Sequence, residues 1–144
     1  MAGSYHYLTE VLRGEMGFKG YVVSDSYAIG RLNGVHKVSP NFKESARMAV
    51  EAGLNVRTEF NDPTEYITHV RHLVQEGRLS EAVVNQRVRE VLRVKFWLGL
   101  FDNPYTGSAR KARQMVSSDH HLQTALQASR ECLVLLKNDS SCCR

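Results

Sequence analysis

The chain has 144 residues, 42% of them hydrophobic and 24% charged, with 19 Lys and Arg against 15 Asp and Glu and a formal net charge of +4. That length supports one ordinary domain with a core, and no apolar run is long enough for a bilayer-spanning helix. The positive balance does not point to nucleic acid, because the basic residues alternate with acids, as in Arg87, Arg89, Glu90 and Arg93, with no basic run interleaved with aromatics.

In chain order, Tyr7, Leu8, Val11 and Leu12 recur at helical spacing and predict a helix over His6–Glu15, with Gly14 and Gly17 near its end. Residues 21–24 read as a short buried strand. Ser39 as N-cap with Pro40 at the first helical position opens a helix. Its stripe is Phe42, Ala46, Ala49 and Val50, and Gly53 stops it. Residues 54–58 predict a second strand. Asp62, Pro63, Thr64 and Glu65 start another helix, with Glu65 spaced for a capping box. Ile67, Val70, Leu73 and Val74 form its stripe, and Gly77 ends it. Ser80 caps a longer helix on which Val84, Val88, Val91 and Leu92 face one way. Residues 101–118 are turn-rich and read as a linker with one helical turn. Residues 119–130 are again helical, and 133–137 predict a third strand.

Alternating strands and helices imply an α/β chain with a parallel sheet. Two short strands before the linker would leave both sheet edges open. The pattern therefore reads as a piece of a larger α/β architecture, mostly helical by itself. Residues 1–10 carry no basic segment followed by an apolar one, so no leader is expected within this chain. Either the protein is cytoplasmic or its natural N-terminus is missing, so the compartment is not read from the sequence.

Asp25 is the leading candidate for chemistry. It follows Val22, Val23 and Ser24, and in parallel α/β architectures reactive groups gather at the carboxyl ends of strands. A carboxylate there can be a nucleophile, a general base or a metal ligand; the competing reading is a turn Asp after a strand. If the two strands are neighbours, Arg57 or Glu59, at the end of the second, can reach the same mouth, and Glu59 can pair with Asp25 as an acid/base partner, although ordinary loop charge is the preferred reading. His69 and His72 share a helix face at metal-ligand spacing, but without a third ligand they read as solvent-exposed. His36, in the loop after Asp25, and His120 with His121, at a helix start, carry no specific signal. Of three cysteines, Cys132 reads as a small core residue, and Cys142 and Cys143 as part of a frayed tail. No phosphate-cradling glycine motif and no nucleophile-elbow serine motif occurs.

Three blocks carry a family resemblance. They are Leu8-Thr9-Glu10-Val11-Leu12-Arg13-Gly14-Glu15-Met16-Gly17-Phe18-Lys19-Gly20-Tyr21-Val22-Val23-Ser24-Asp25, then Val91-Leu92-Arg93-Val94-Lys95-Phe96-Trp97-Leu98-Gly99-Leu100-Phe101-Asp102-Asn103-Pro104-Tyr105, then Ala128-Ser129-Arg130-Glu131-Cys132-Leu133-Val134-Leu135-Leu136-Lys137-Asn138-Asp139. In this order and spacing the chain closely resembles glycoside hydrolase family 3, the β-glucosidases and β-xylosidases. The resemblance implies the C-terminal portion of a (β/α)8-type barrel over 1–100, an interdomain linker over 101–118, and the truncated start of an α/β sandwich domain over 119–144. It implies a natural N-terminus upstream of Met1. It implies retaining hydrolysis of terminal β-linked glucosyl or xylosyl residues, with Asp25 as nucleophile and Ser26 and Tyr27 bordering the sugar.

The implied ligand is a β-linked oligosaccharide or β-glucoside. No cofactor, metal, nucleic acid or membrane is implied. Ser26 stands where many members have Trp, which bears on substrate preference. The family's acid/base Glu lies in the second domain, so the isolated chain is expected to be inactive. The tail from Ser140 to Arg144 departs from the family's usual continuation. The rival expectation is a noncatalytic helical interaction module whose exposed edges and unpaired helical face bind a partner or cause self-association.

Overall fold

Capping chemistry divides the chain into short helices. In a computed structural model, which describes residues 1–137, an N-terminal helix spans His6–Glu15. It is followed by α1 (Ala28–Gly34), α2 (Phe42–Ala52), α3 (Thr64–Gln75), α4 (Glu81–Trp97), α5 (Ala109–Met115) and α6 (Asp119–Glu131). The N-terminal helix is wound more widely than an α-helix, and at its end the Met16 amide donates to the Val11 carbonyl at 2.9 Å.

Helix α2 stops at Gly53, which takes φ 114°, and α3 is followed by Gly77 at φ 68°. At both stops the next amide reaches back across the turn, Leu54 to Ala49 at 3.0 Å and Arg78 to Leu73 at 2.9 Å. That closure needs a left-handed residue, which glycine supplies without a Cβ clash. Ser80 caps α4 as expected, its Oγ accepting from the Ala82 amide at 3.2 Å. The cap of α2 is Asn41 rather than Ser39. Asn41 Oδ1 accepts from the Glu44 amide at 2.9 Å, while the buried Ser39 hydroxyl lies 2.6 Å from Ser45 Oγ. The longer Asn side chain, two residues further on, reaches the open amide and moves the helix start past Pro40. At α3, Asp62 Oδ1 takes the Thr64 amide at 2.9 Å and its hydroxyl at 2.7 Å. Glu65 faces His69 instead, at 3.6 Å.

The expected strands are the main correction. No strand forms among the described residues; residues 21–24 and 54–58 are joined by one parallel bridge, Val23 to Val56. Around it the Ser24 amide donates to the Val56 carbonyl at 2.9 Å, and the Asn55 and Val56 amides donate to the Val22 carbonyl at 3.0 and 3.1 Å. The parallel direction is as expected, but two segments without outer neighbours make a rung rather than a ladder. Residues 133–137 stay irregular for the same reason: Leu133, Val134, Leu135 and Leu136 are all exposed, with no strand among the described residues to pair with. Cys132, expected in a core, is exposed as well. Cys142, Cys143 and the departing tail lie outside the described residues.

The chain divides into two units, Met1–Pro104 and Tyr105–Arg144. In the first, α2 is the hub, packing on the N-terminal helix, α1, α3 and α4. One apolar cluster gathers Leu8, Ile29, Ala49, Ala52 and Leu54, and another gathers Val50, Leu73 and Leu79. Burying a side chain such as Leu73 or Ile29 contributes about 1.5–3 kcal/mol. The apolar stripe of α4 is less covered than its pattern implies: Val88 is 50% and Leu92 39% exposed. In the second unit, α5 and α6 bury no residue, and Leu122 and Leu126 on α6 are exposed. No helix among the described residues is long and apolar enough to cross a membrane.

Candidate active site

The bridge between Val23 and Val56 directs two chain ends to one side. Past Val23, Ser24 is buried and its Oγ accepts from the Thr58 amide at 2.9 Å. Past Ser24, the Tyr27 amide donates to the Thr58 carbonyl at 3.0 Å. Asp25 lies between these two ties. Its carbonyl accepts from the Ala28 amide at 3.1 Å, which closes a turn into α1. Its carboxylate projects outward, 79% exposed, with Arg31 Nη1 3.7 Å away. At that exposure the pair adds little stability, so the carboxylate is not committed to holding the fold.

Asp25 lines a cavity of about 300 Å³ together with Val22, Ala28, Arg31, Leu32 and His36. His36 therefore stands on the same cavity as Asp25. Ser26 is half-buried, and Tyr27 is exposed with a left-handed backbone at φ 59°. A non-glycine residue in that region carries a strain of about 1–2 kcal/mol, so the turn after Asp25 persists only because its neighbours hold it. The Tyr27 ring meets Phe60 edge-on, with centroids 6.1 Å apart.

Arg57 and Glu59 are not ordinary loop charges. Their side chains are only 8% and 4% exposed, and Arg57 Nη2 lies 2.5 Å from Glu59 Oε2. The same Nη2 donates to Asn61 Oδ1, and the guanidinium stacks 5.4 Å over the Tyr66 ring. The Glu59 hydrogen bond holds Arg57 above its ordinary pKa, against the opposing effect of burial. Glu59 is thus engaged with Arg57 rather than free to act as an acid beside Asp25.

A second charge cluster forms around Glu90, which the sequence shows only as one acid among the bases of a mixed-charge stretch. Glu90 on α4 is 2% exposed, although its neighbours Arg87, Arg89 and Arg93 suggest a solvated face. Its carboxylate lies 3.2 Å from Arg13 Nη2 and 3.3 Å from Arg87 Nη2, and it accepts from Asn55 Nδ2 at 2.7 Å. Arg13 also donates to the Gly20 and Gly53 carbonyls and to Asn55 Oδ1. Burial lowers the Arg13 pKa, with Glu90 pulling the other way. The cluster ties the N-terminal helix, the α2 stop, the bridged segment and α4 together. Local patterning could not reveal it, because its members lie far apart in sequence. The one local signal is Asn55, a polar residue inside an otherwise apolar segment.

His69 is half-buried against the Phe42 ring at 6.0 Å rather than solvated. No group of His, Cys, Asp or Glu suited to a metal occurs among the described residues.

The same segments define the class of protein. The model of the glycosyl hydrolase family 3 N-terminal domain matches residues 1–94, and the chain belongs to that family. It is 38% identical over 138 residues to a putative beta-xylosidase of Formosa agariphila, covering 96% of this chain and 18% of that protein. It is 31% identical to a lysosomal beta glucosidase of Dictyostelium discoideum, covering 98% of this chain and 17% of that protein.

Among solved structures, a β-glucosidase of Erythrobacter marinus matches with a TM-score of 0.81 at 33% identity, covering 96% of this chain and 18% of that one. A β-glucosidase of Listeria innocua in complex with glucose matches with a TM-score of 0.80 at 34% identity, covering 98% of this chain and 19% of that one. A mutant of the Listeria enzyme is known in complex with laminaribiose. The chain spans about a fifth of the length of these relatives.

Proposed function

We propose that this chain carries the nucleophile of a retaining β-glycosidase acting on terminal β-linked glucosyl or xylosyl residues, and that the nucleophile is Asp25. The observation that carries this reading is the exposed Asp25 carboxylate at the carboxyl end of a segment bridged in parallel to a second one. Family membership and the β-glucosidases and β-xylosidases among the relatives support the substrate class. Within this reading, residues 1–100 are the C-terminal part of a (β/α)8-type barrel. Residues 101–118 are the linker to an α/β sandwich domain that begins at 119–144. Ser26 and Tyr27 border the sugar.

In the mechanism, an Asp25 oxygen attacks the anomeric carbon as the glycosidic bond breaks, and a second carboxylic acid protonates the leaving oxygen. The glycosyl ester is then hydrolysed by water that the second group activates. Retention requires the two carboxyl groups to lie roughly 5–5.5 Å apart. Glu59 is held by Arg57; the family resemblance puts the second group in the sandwich domain, beyond the part of it in this chain, so the chain alone should not turn over. Without its partner acid, Asp25 loses most of the transition-state stabilisation.

Incubating the chain with an activated aryl β-glucoside tests its inactivity; turnover that Asp25→Asn abolishes overturns it. In a full-length protein containing this segment, a 2-deoxy-2-fluoro β-glucoside should esterify the peptide that bears Asp25. Esterification of a different carboxylate removes Asp25 from the role.

One observation favours a second reading, a noncatalytic interaction module. Val88, Leu92 and Phe96 form an exposed apolar row on α4. A compact, cooperative monomer in size-exclusion chromatography with circular dichroism supports an independent module. Aggregation or a molten state supports a piece of a larger enzyme.

A further inference from the structure

From the geometry around Thr58 we infer that the buried Arg57–Glu59 pair positions Asp25, acting through the backbone ties that the 57–61 loop makes to the Asp25 turn. The inference rests on the reading of Asp25 as nucleophile. Three observations carry it.

First, both ties that flank Asp25 end on one residue: the Thr58 amide donates to Ser24 Oγ at 2.9 Å, and the Thr58 carbonyl accepts from the Tyr27 amide at 3.0 Å. Thr58 sits between Arg57 and Glu59, so the pair clasps the backbone that makes the ties. Second, the turn being held is strained. Tyr27 is left-handed at φ 59°, and such a residue relaxes to the common regions unless its surroundings over-determine it. Third, the pair is poorly arranged for stability alone. Glu59 Oε1 and Arg57 Nε are buried without a hydrogen-bond partner among the described residues. A buried ion pair with unsatisfied atoms is typically no more stable than apolar residues of like volume. What it provides that apolar residues cannot is direction. Arg57 Nη2 bonds to both Glu59 and Asn61, which curls the loop so that both Thr58 backbone groups face the Asp25 turn. Arg57 and Glu59 are therefore positioning residues, because they act on Asp25 through the Thr58 backbone.

Residue-resolved amide exchange on this chain tests the inference, comparing the wild type with Glu59→Gln and with the double variant Arg57→Met/Glu59→Leu. The double variant refills the site with apolar volume, so the hydrogen-bonded helix-stop amides of Leu54 and Arg78 should keep their wild-type protection. The Tyr27 and Thr58 amides should exchange about tenfold faster or more, as expected when a local opening becomes easier without global unfolding. Glu59→Gln keeps an acceptor but removes the counter-charge, and should give the same pattern with a smaller change. The inference is overturned if Tyr27 and Thr58 keep wild-type protection in the folded double variant. It is also overturned if, in Glu59→Gln, they lose protection only together with Leu54 and Arg78, since the pair would then be serving stability. These outcomes do not depend on glycosidase activity, so a failure of the Asp25 assignment in the esterification experiment remains distinguishable.

Discussion

Glu90→Ala should be the most damaging single change in the first unit. The wild-type carboxylate is 2% exposed and serves two guanidiniums at 3.2 and 3.3 Å, the Asn55 amide at 2.7 Å and the Gln86 amide at 3.0 Å. Truncation leaves Arg13 and Arg87, only 12% and 13% exposed, without their counter-charge. Arg13 keeps three oxygen partners, but Arg87 already has Nε and Nη1 unpaired among the described residues. Removing one member of a buried ionic cluster costs about 3–5 kcal/mol, a large share of the roughly 5–15 kcal/mol that holds a domain.

With a urea m-value of about 1.5 kcal/mol per molar, the midpoint should fall by about 2–3 M, read by far-ultraviolet circular dichroism. Glu90→Gln keeps the shape and one acceptor, and should lose about half as much, since hydrogen bonds to charged groups contribute about 1.5–3 kcal/mol. The triple change Arg13→Met/Arg87→Met/Glu90→Leu should recover much of the loss, because it leaves no stranded charge. A Glu90→Ala loss below about 1 kcal/mol, or a triple variant weaker than Glu90→Ala, would refute the claim that the cluster acts as one charge-balanced unit.

Three further outcomes follow from other sites. Glu44 is held below its ordinary pKa of 4.5, first by its hydrogen bond to Arg47 and then by Arg78. Its contribution is therefore complete above about pH 4.5 and disappears as pH falls through the lower folded-state value. Melting temperatures should drop on that acid side, with a shallower slope in Glu44→Gln; equal slopes would contradict the assignment. Gly53→Ala should cost well over the ~1 kcal/mol of an ordinary left-handed glycine replacement, because its Cβ would lie 2.9 Å from Arg87 Nη1 and 3.0 Å from Thr9 Oγ1. Gly77→Ala, whose Cβ meets nothing within 4 Å, should stay near ~1 kcal/mol, and equal losses in urea titrations would argue against the close approach. Asp25→Asn should change stability by less than ~0.5 kcal/mol, given its exposure and its single 3.7 Å contact; a larger loss by the same titration would mean that Asp25 serves the fold.

Helix ends were legible in the sequence wherever a stop or cap is set by a few adjacent residues. Gly53, Gly77 and Ser80 do what their chemistry dictates because capping involves only one turn of chain. The α2 start is not legible in the sequence, because Ser39 and Asn41 compete within one turn and side-chain reach decides between them. The strand pattern at 21–24 and 54–58 specified a parallel pairing, but a sheet needs outer partners that these residues do not supply. Asp25 was visible as a carboxylate closing an apolar run. Arg57 and Glu59 were visible only as charges, because the Tyr66 ring and the Asn61 oxygen that engage Arg57 meet it only in the folded chain. Glu90 was visible only as one charge beside Arg87, Arg89 and Arg93, and its burial was not legible, since Arg13 and Asn55 reach it from elements remote in sequence.

The position of α2 as hub bears on the order of assembly. Its contacts with α1 and α3 join neighbours in sequence and close short loops, so they can form early. The Arg13–Glu90 contact joins the two ends of the first unit and must await that closure. Loosening this latch should thus quicken unfolding while leaving the refolding rate nearly unchanged, as for any contact absent from the transition state. The time for which the first unit stays folded should then be lengthened by a contact that forms late.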